Sequence, residues 1–234
     1  MGGRASDGGV ADRPTRGPEG YSCGVTDQLD HLDPTPESAA RPVVPTPGEG
    51  VLVAVLAAVG LLAAGVLTYD KVESLKAQAA GESFSASCDV NAFVACSGVF
   101  NTPQAEVFGF PNPLIGIAGF AVVLTLGVLV AARVALPRFV VGGLFAGAVF
   151  GIGFVTWLQY QSFYEIGRLC PYCMVVWAVM IPLFVVITRW FAQQVAPGGA
   201  VHRFLGNWSL LVVLLWYVAV GAAIWFQFGT TLWA

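Results

Sequence analysis

Residues 170–188 read CPYCMVVWAVMIPLFVVIT. Two cysteines three positions apart open an apolar run that contains no charge. Pro is favoured at the first position of a helix, so Cys170 reads as the N-cap and Pro171 as the first helical residue. Residues three apart share a helix face, so the two sulfurs can be bridged if the first turn allows it. The start of a helix carries partial positive charge, which stabilises a thiolate. At about 1.5 Å of rise per residue, Cys173 lies about 4.5 Å deeper than Cys170. The outer cysteine can meet a loop, and the inner one can meet something dissolved in lipid. Pro182 falls in the middle of the run and is expected to kink it.

Four more apolar runs surround this one: Val51–Tyr69, Pro113–Ala135, Phe139–Tyr160 and Asn207–Phe228. A helix needs about 20 residues to cross roughly 30 Å of hydrocarbon, and all five runs are close to that length. None contains Asp, Glu or Lys; their only charge is Arg133, near the end of the second run, where it can snorkel. The reading is an all-α integral membrane protein with five transmembrane helices. Composition agrees. Of 234 residues, 56% are hydrophobic and 11% charged, with a mean hydropathy of +0.73. A soluble domain carries roughly 25% charged residues, so a soluble enzyme is excluded. A net charge of −3 gives no basic footprint for nucleic acid.

The charges are segregated. Residues 1–50 hold eight acids and four arginines among many Gly, Pro, Ser and Thr residues. That stretch has too little apolar surface to offset chain entropy and is expected to be a disordered tail. Its first apolar run starts too far from Met1 for a secretory signal. Residues 51–234 then form the membrane domain. Short-loop Arg counts set the orientation: Arg133 and Arg138 follow the second run, and Arg189 and Arg203 follow the fourth. The tail is therefore expected in the cytoplasm and the loop 70–112 outside it. Trp157, Trp190, Trp208, Trp225 and Trp233 fall near run ends, as interfacial anchors should. Gly143, Gly147 and Gly151, four apart in the third run, are expected to let helix backbones approach closely.

Chemistry then rests on cysteine, because the only histidines are His31 and His202. Cys23 lies in the expected cytoplasmic tail, where thiols stay reduced, and is taken as incidental. Cys88, Cys96, Cys170 and Cys173 all map to the outer side, which supports an oxidising compartment. Three arrangements are open. The four can form a redox relay, they can form two inert structural disulfides, or they can hold zinc. Zinc ligands prefer spacings of two to four, so the seven residues between Cys88 and Cys96 argue against the last, and no metal site is assigned. Asp89, beside Cys88, is expected to be simply solvated. Pro103–Pro111 is expected to dip into the interface over a pocket, and Gln159, Gln161 and Tyr164 to be ordinary interface residues.

Three strings together carry a resemblance: Cys88-Asp89-Val90 through Cys96-Ser97-Gly98-Val99-Phe100, Phe108-Gly109-Phe110-Pro111-Asn112-Pro113, and Cys170-Pro171-Tyr172-Cys173. They resemble the vitamin K epoxide reductase family, in its bacterial, actinobacterial-type members, over about Val51–Phe228. The resemblance implies a four-helix bundle around a quinone (menaquinone or ubiquinone) with a fifth helix to one side. It implies electron flow from a secreted thioredoxin-fold, DsbA-like disulfide donor, acting in trans, to that quinone at the bacterial cell membrane. Cys88 would exchange with the partner, Cys96 with Cys170, and Cys173 would face the quinone. Asn112 matches an asparagine that hydrogen-bonds a quinone carbonyl, and Phe100 matches a phenylalanine near the ring. Trp177 stands where vertebrate members have a tyrosine; an indole N–H can still donate.

Two other functions compete. A transporter buries carboxylates or histidines along its path, and these runs are almost empty of them. A structural membrane protein with inert disulfides remains, and thiol reactivity toward a reduced partner separates it from a relay.

Overall fold

The computed structural model describes residues 45–91 and 93–232. Residues 1–44 of the expected tail, with Cys23, and Trp233 lie outside the described residues, while residues 47–50 of that stretch form the first turn of the first long helix. Five helices are long and apolar enough to cross a membrane: α1 (Pro47–Ala80), α3 (Pro113–Ala131), α4 (Arg138–Tyr160), α5 (Pro171–Val195) and α6 (Ala200–Leu232). A single turn, α2 (Ser97–Phe100), lies between α1 and α3. No strand occurs among the described residues; one isolated bridge joins Val94 to Leu169.

α1 is longer at both ends than its apolar run. It starts at Pro47 because Thr46 and Glu49 cap it reciprocally: Thr46 Oγ1 accepts from the Glu49 N–H, and Glu49 Oε2 accepts from the Thr46 N–H. It continues past Tyr69 to Ala80, where Gly81 takes a left-handed φ of 75° and closes the end. This extension carries Asp70, Lys71 and Ser74, all buried, out to the cysteine loop.

α1 packs on α3 and α5, α4 packs on α5, and α6 touches α5 from one side. The result is the expected four-helix bundle with a fifth, peripheral helix. The closest approach is between α1 and α3, and it depends on glycines the sequence reading passed over. A Cβ on Gly127 would stand 2.8 Å from the Ala54 backbone nitrogen, and one on Gly50 would meet the backbone at Ala131. The expectation for the α4 glycines is corrected in part. A Cβ on Gly151 would meet the Met180 side chain of α5, but one on Gly143 or Gly147 would meet nothing within 4 Å beyond its own helix. They border a cavity instead of a helix contact.

α5 runs through Pro182 as one helix. A proline has no N–H to give to the carbonyl four residues back, which here is Ala178. Tyr217 of α6 supplies the missing donor: its hydroxyl lies 2.6 Å from the Ala178 oxygen. The carbonyl that the proline leaves without a helical donor thus becomes the polar anchor of the peripheral helix. Trp190 corrects another expectation. Near the end of α5 it is 1% exposed, so it packs inside the bundle instead of facing outward as an anchor, and its indole N–H points to Glu49 Oε2 at 3.4 Å. Arg189 pairs with the same carboxylate at 2.8 Å, so α1 and α5 are tied at the end of the bundle far from the cysteines.

Candidate active site

Two chain segments far apart in sequence meet at the mouth of the bundle. Residues 93–95 run parallel to Leu169: the Leu169 N–H donates to the Phe93 carbonyl at 2.7 Å, and the Ala95 N–H donates to the Leu169 carbonyl at 3.0 Å. Cys96 and Cys170 are the next residues along each segment. Their sulfurs lie 3.1 Å apart, and both side chains are buried. Cys96 is also in a disulfide with Cys88, with a Cα separation of 5.7 Å, while Cys170 and Cys173 are free thiols. A closed disulfide thus stands in contact with a thiol of the C-x-x-C pair.

Local sequence explains the fit. After α4 the chain makes a π-helical turn, Gln161–Ile166, and reverses at Gly167, whose φ of 65° suits glycine. The Ser162 hydroxyl donates to the Arg168 carbonyl and fixes the reversal. Arg168 then lies across Gly98, where any Cβ would collide with its side chain. Cys170 is the extended N-cap of α5, with Pro171 behind it. The hydrogen bond with the Cys173 thiol holds the Cys170 thiol below its ordinary pKa. The backbone N–H groups of Cys173 and Tyr172 add to this against the effect of burial.

Asp89 is no merely solvated neighbour of Cys88. Its Oδ2 accepts from the Ala86 N–H at 2.9 Å and from the Ser85 hydroxyl, and its Oδ1 accepts from the Ser97 N–H at 3.0 Å. A short loop has orphan N–H groups, and a carboxylate is the strongest acceptor available to gather them. Burial alone raises the Asp89 pKa, but the bonds from Ser97, Ala86 and Ser85 together outweigh it and hold the carboxyl below its usual value.

The α1 extension braces the other side of the loop. Lys71 Nζ donates to the Phe100 carbonyl at 2.7 Å and pairs with Glu106 Oε1 at 2.9 Å. Asp70 accepts from the Ser87 hydroxyl at 2.9 Å, and Gln78 donates to Asn101 at 3.0 Å. Sequence reading missed Asp70 and Lys71. The available signal was a charged pair directly after an apolar run, which looks like ordinary interfacial loop.

Beneath the cysteines is a cavity of about 650 Å³. Cys170, Cys173, Asn112, Trp177 and Phe100 all border it, as do Gly143 and Gly147. The structure thus brings all the anticipated residues except Cys88 and Cys96 to one cavity, and those two stand just beyond Cys170. Asn112 does not cap α3 with its side chain. Its Nδ2 donates to the Gln104 carbonyl at 2.6 Å and its Oδ1 accepts from the Val107 N–H at 3.3 Å. It therefore ties down the 3₁₀ turn Pro103–Glu106. One amide hydrogen remains for another acceptor. Gln104 and Ala105 of this turn border the cavity, so the Pro103–Pro111 stretch covers it in part; the Phe108 ring also lies tilted against Phe154, 5.8 Å between centroids. Trp177 is buried edge-on to Phe163, 5.6 Å between rings. Gln159, expected at an interface, is 6% exposed and faces the bundle interior with the apolar side of α4.

The helical bundle puts a disulfide, a C-x-x-C pair and an apolar cavity in sequence along one path, the parts a membrane oxidoreductase needs. Comparison with known protein families gives the same answer: residues 51–188 match the vitamin K epoxide reductase family, and the chain belongs to it. The match ends before α6, so it is shorter than the span anticipated from the sequence. No curated protein matches the chain. The family's electron carrier is generally a quinone or vitamin K.

Proposed function

We propose that this protein takes electrons from a secreted thioredoxin-fold, DsbA-like partner and delivers them to a membrane quinone, so sustaining disulfide formation outside the cytoplasm. The single observation that carries the reading is the 3.1 Å approach of Cys170 to Cys96 of the Cys88–Cys96 disulfide, beside the cavity that Cys173 borders. The partner dithiol attacks Cys88 and, on leaving as its own disulfide, reduces Cys88–Cys96 to two thiols. The Cys96 thiolate then attacks Cys170 of an oxidised Cys170–Cys173 pair. Cys88 resolves the mixed disulfide, restoring Cys88–Cys96 and leaving Cys170 and Cys173 as thiols. Two electrons and two protons thereby move inward. A quinone in the cavity supplies the two-electron acceptor that re-oxidises the pair.

The residues present fit that acceptor. The cavity is bordered almost wholly by apolar side chains, as an isoprenoid quinone requires, and its polar groups sit at the cysteine end. Asn112 holds the covering turn and keeps an N–H for a carbonyl oxygen. Phe100 and Trp177 border the same end. Thirty millivolts is about 1.4 kcal/mol for a two-electron couple, so a strongly oxidising partner gives up its electrons only if the inner disulfide is itself easy to reduce. The lowered pKa of Cys170 acts in that direction.

The cysteine end faces outward in this reading, the preceding tail is cytoplasmic, and the membrane is the bacterial cell membrane. Residues 51–234 act as one membrane domain. Cys173→Ala tests the assignment: purified protein is expected to lose quinone reduction, while in the Cys96→Ala, Cys173→Ala double variant the Cys88 thiol still attacks the disulfide of the oxidised partner and is trapped as a mixed disulfide. Normal quinone turnover in Cys173→Ala refutes it.

A further inference from the structure

The gap between Cys88 and Cys96 argues against a metal centre on sequence spacing alone. The fold adds a third sulfur from a distant segment. The sulfurs of Cys88, Cys96 and Cys170 all lie within 4.8 Å of one another, and all three residues are buried. No other such group of His, Cys, Asp or Glu side chains occurs among the described residues.

We propose that reduction of the Cys88–Cys96 disulfide turns this cluster into a binding site for a thiophilic d10 cation of the zinc, cadmium or copper(I) class. Sulfurs bound tetrahedrally at about 2.3 Å from zinc stand roughly 3.8 Å apart. Cys96 and Cys170, at 3.1 Å, need to separate by less than an ångström. Cys88, once its bond to Cys96 is cut, reaches the same spacing by rotation of its own side chain. Thiolates suit soft d10 ions better than hard cations, and no carboxylate stands among the three sulfurs to favour calcium or magnesium. The three sulfurs make a thiolate-only ligand set, and a water or an added thiol can complete the tetrahedron.

Electrons and protons balance simply. A dithiol reduces the disulfide, becoming a disulfide itself, and leaves three neighbouring thiols. The cation then displaces protons from the thiols that bind it, up to three. Re-formation of Cys88–Cys96 removes two ligands and expels the ion. The site therefore exists only in the reduced protein, and an ion in it withholds all three sulfurs from exchange.

The test needs neither quinone nor partner, so it stands apart from the relay proposed above. The full chain carrying Cys23→Ser, in detergent, is reduced with a phosphine, desalted and titrated with cadmium chloride. Sulfur-to-cadmium charge-transfer absorption and equilibrium dialysis are the readouts. One cadmium per reduced chain is expected, with binding lost after re-oxidation and lost in both Cys88→Ser and Cys170→Ser. Far-ultraviolet circular dichroism checks that the variants keep their helices, and thiol counting in denaturant checks reduction. Absence of binding to a fully reduced, helical chain overturns the proposal. So does wild-type binding in Cys88→Ser, which leaves Cys88 out of the ligand set.

Discussion

Lys71→Met is expected to loosen the cover of the cavity while leaving the sulfur contact in place. Lys71 is 6% exposed and has two partners, the Phe100 carbonyl at 2.7 Å and Glu106 at 2.9 Å. Glu106 is 40% exposed, so that ion pair contributes at most about 1 kcal/mol. A hydrogen bond from a charged donor to a buried acceptor is worth about 1.5–3 kcal/mol. Methionine fills similar space, so the change is chiefly the lost bond, about 2 kcal/mol. At 1.36 kcal/mol per decade this is roughly 30-fold in the opening equilibrium of the 97–106 stretch. Amide hydrogen exchange reads that equilibrium directly. The Phe100 and Ala105 amides, bonded to Cys96 and Thr102, should exchange roughly 30-fold faster. The Ala95 and Leu169 amides, held by the bridge between their segments, should be unchanged. Equal exchange in mutant and wild type would show that Lys71 does not hold the cover; faster exchange at Ala95 and Leu169 would show that it braces the whole loop.

Tyr217→Phe should cost about 1 kcal/mol in reversible detergent unfolding, and far less in a Pro182→Ala background, where residue 182 regains an N–H for the Ala178 carbonyl; equal costs in both backgrounds refute the link. Gly147→Leu, placed where nothing lies within 4 Å, should leave unfolding unchanged and weaken quinone binding at least about tenfold, since extra volume is tolerated only where space exists. Gly127→Ala, which meets the α1 backbone at 2.8 Å, should instead lower stability by about 1–3 kcal/mol. The depressed carboxyl pKa of Asp89 stabilises the loop fully above the ordinary value of about 3.9, and this contribution disappears as pH falls through the lowered folded value. Asp89→Asn should therefore flatten the acid limb of loop stability measured by thiol accessibility at Cys88; an unaltered acid limb removes Asp89 from that role.

The five spans were legible because lipid imposes one requirement, a long apolar run, and nothing else in the sequence imitates it. The grouping of four cysteines was legible because topology alone puts them at one end. Distances were not. The contact of Cys96 with Cys170 depends on a backbone bridge between Val94 and Leu169, and neither apolar residue advertises a partner 75 positions away. The α1 extension was hidden for a different reason. Charged residues after an apolar run end a membrane segment without ending a helix, and Val72–Ala80 contains no breaker before Gly81. The α4 glycines show the limit of a pattern: spacing by four marks a smooth face, and only the fold says whether a helix or a cavity occupies it.

The two faces of the loop disulfide are held by different means, and the difference suits a relay. Cys96 is fixed to Cys170 through backbone hydrogen bonds one residue away on each segment, with both sulfurs shielded from water. Cys88 is held from the Asp89 side, where charge-assisted bonds from Ser85, Ala86 and Ser97 are part-buried or exposed, so water can replace them when the loop opens. A thiol-bearing partner can therefore displace the Cys88 side at small cost while the Cys96–Cys170 contact stays intact. Were both sides equally rigid, the disulfide would be inert to a large partner; were both equally loose, Cys170 would be exposed to attack from outside. If this division holds, Asp89→Ala speeds mixed-disulfide formation at Cys88 and leaves the rate of Cys96–Cys170 exchange unaltered. Stopped-flow mixing of the reduced partner with each protein separates the two steps, and a proportional change in both rates would show that the loop moves as one body.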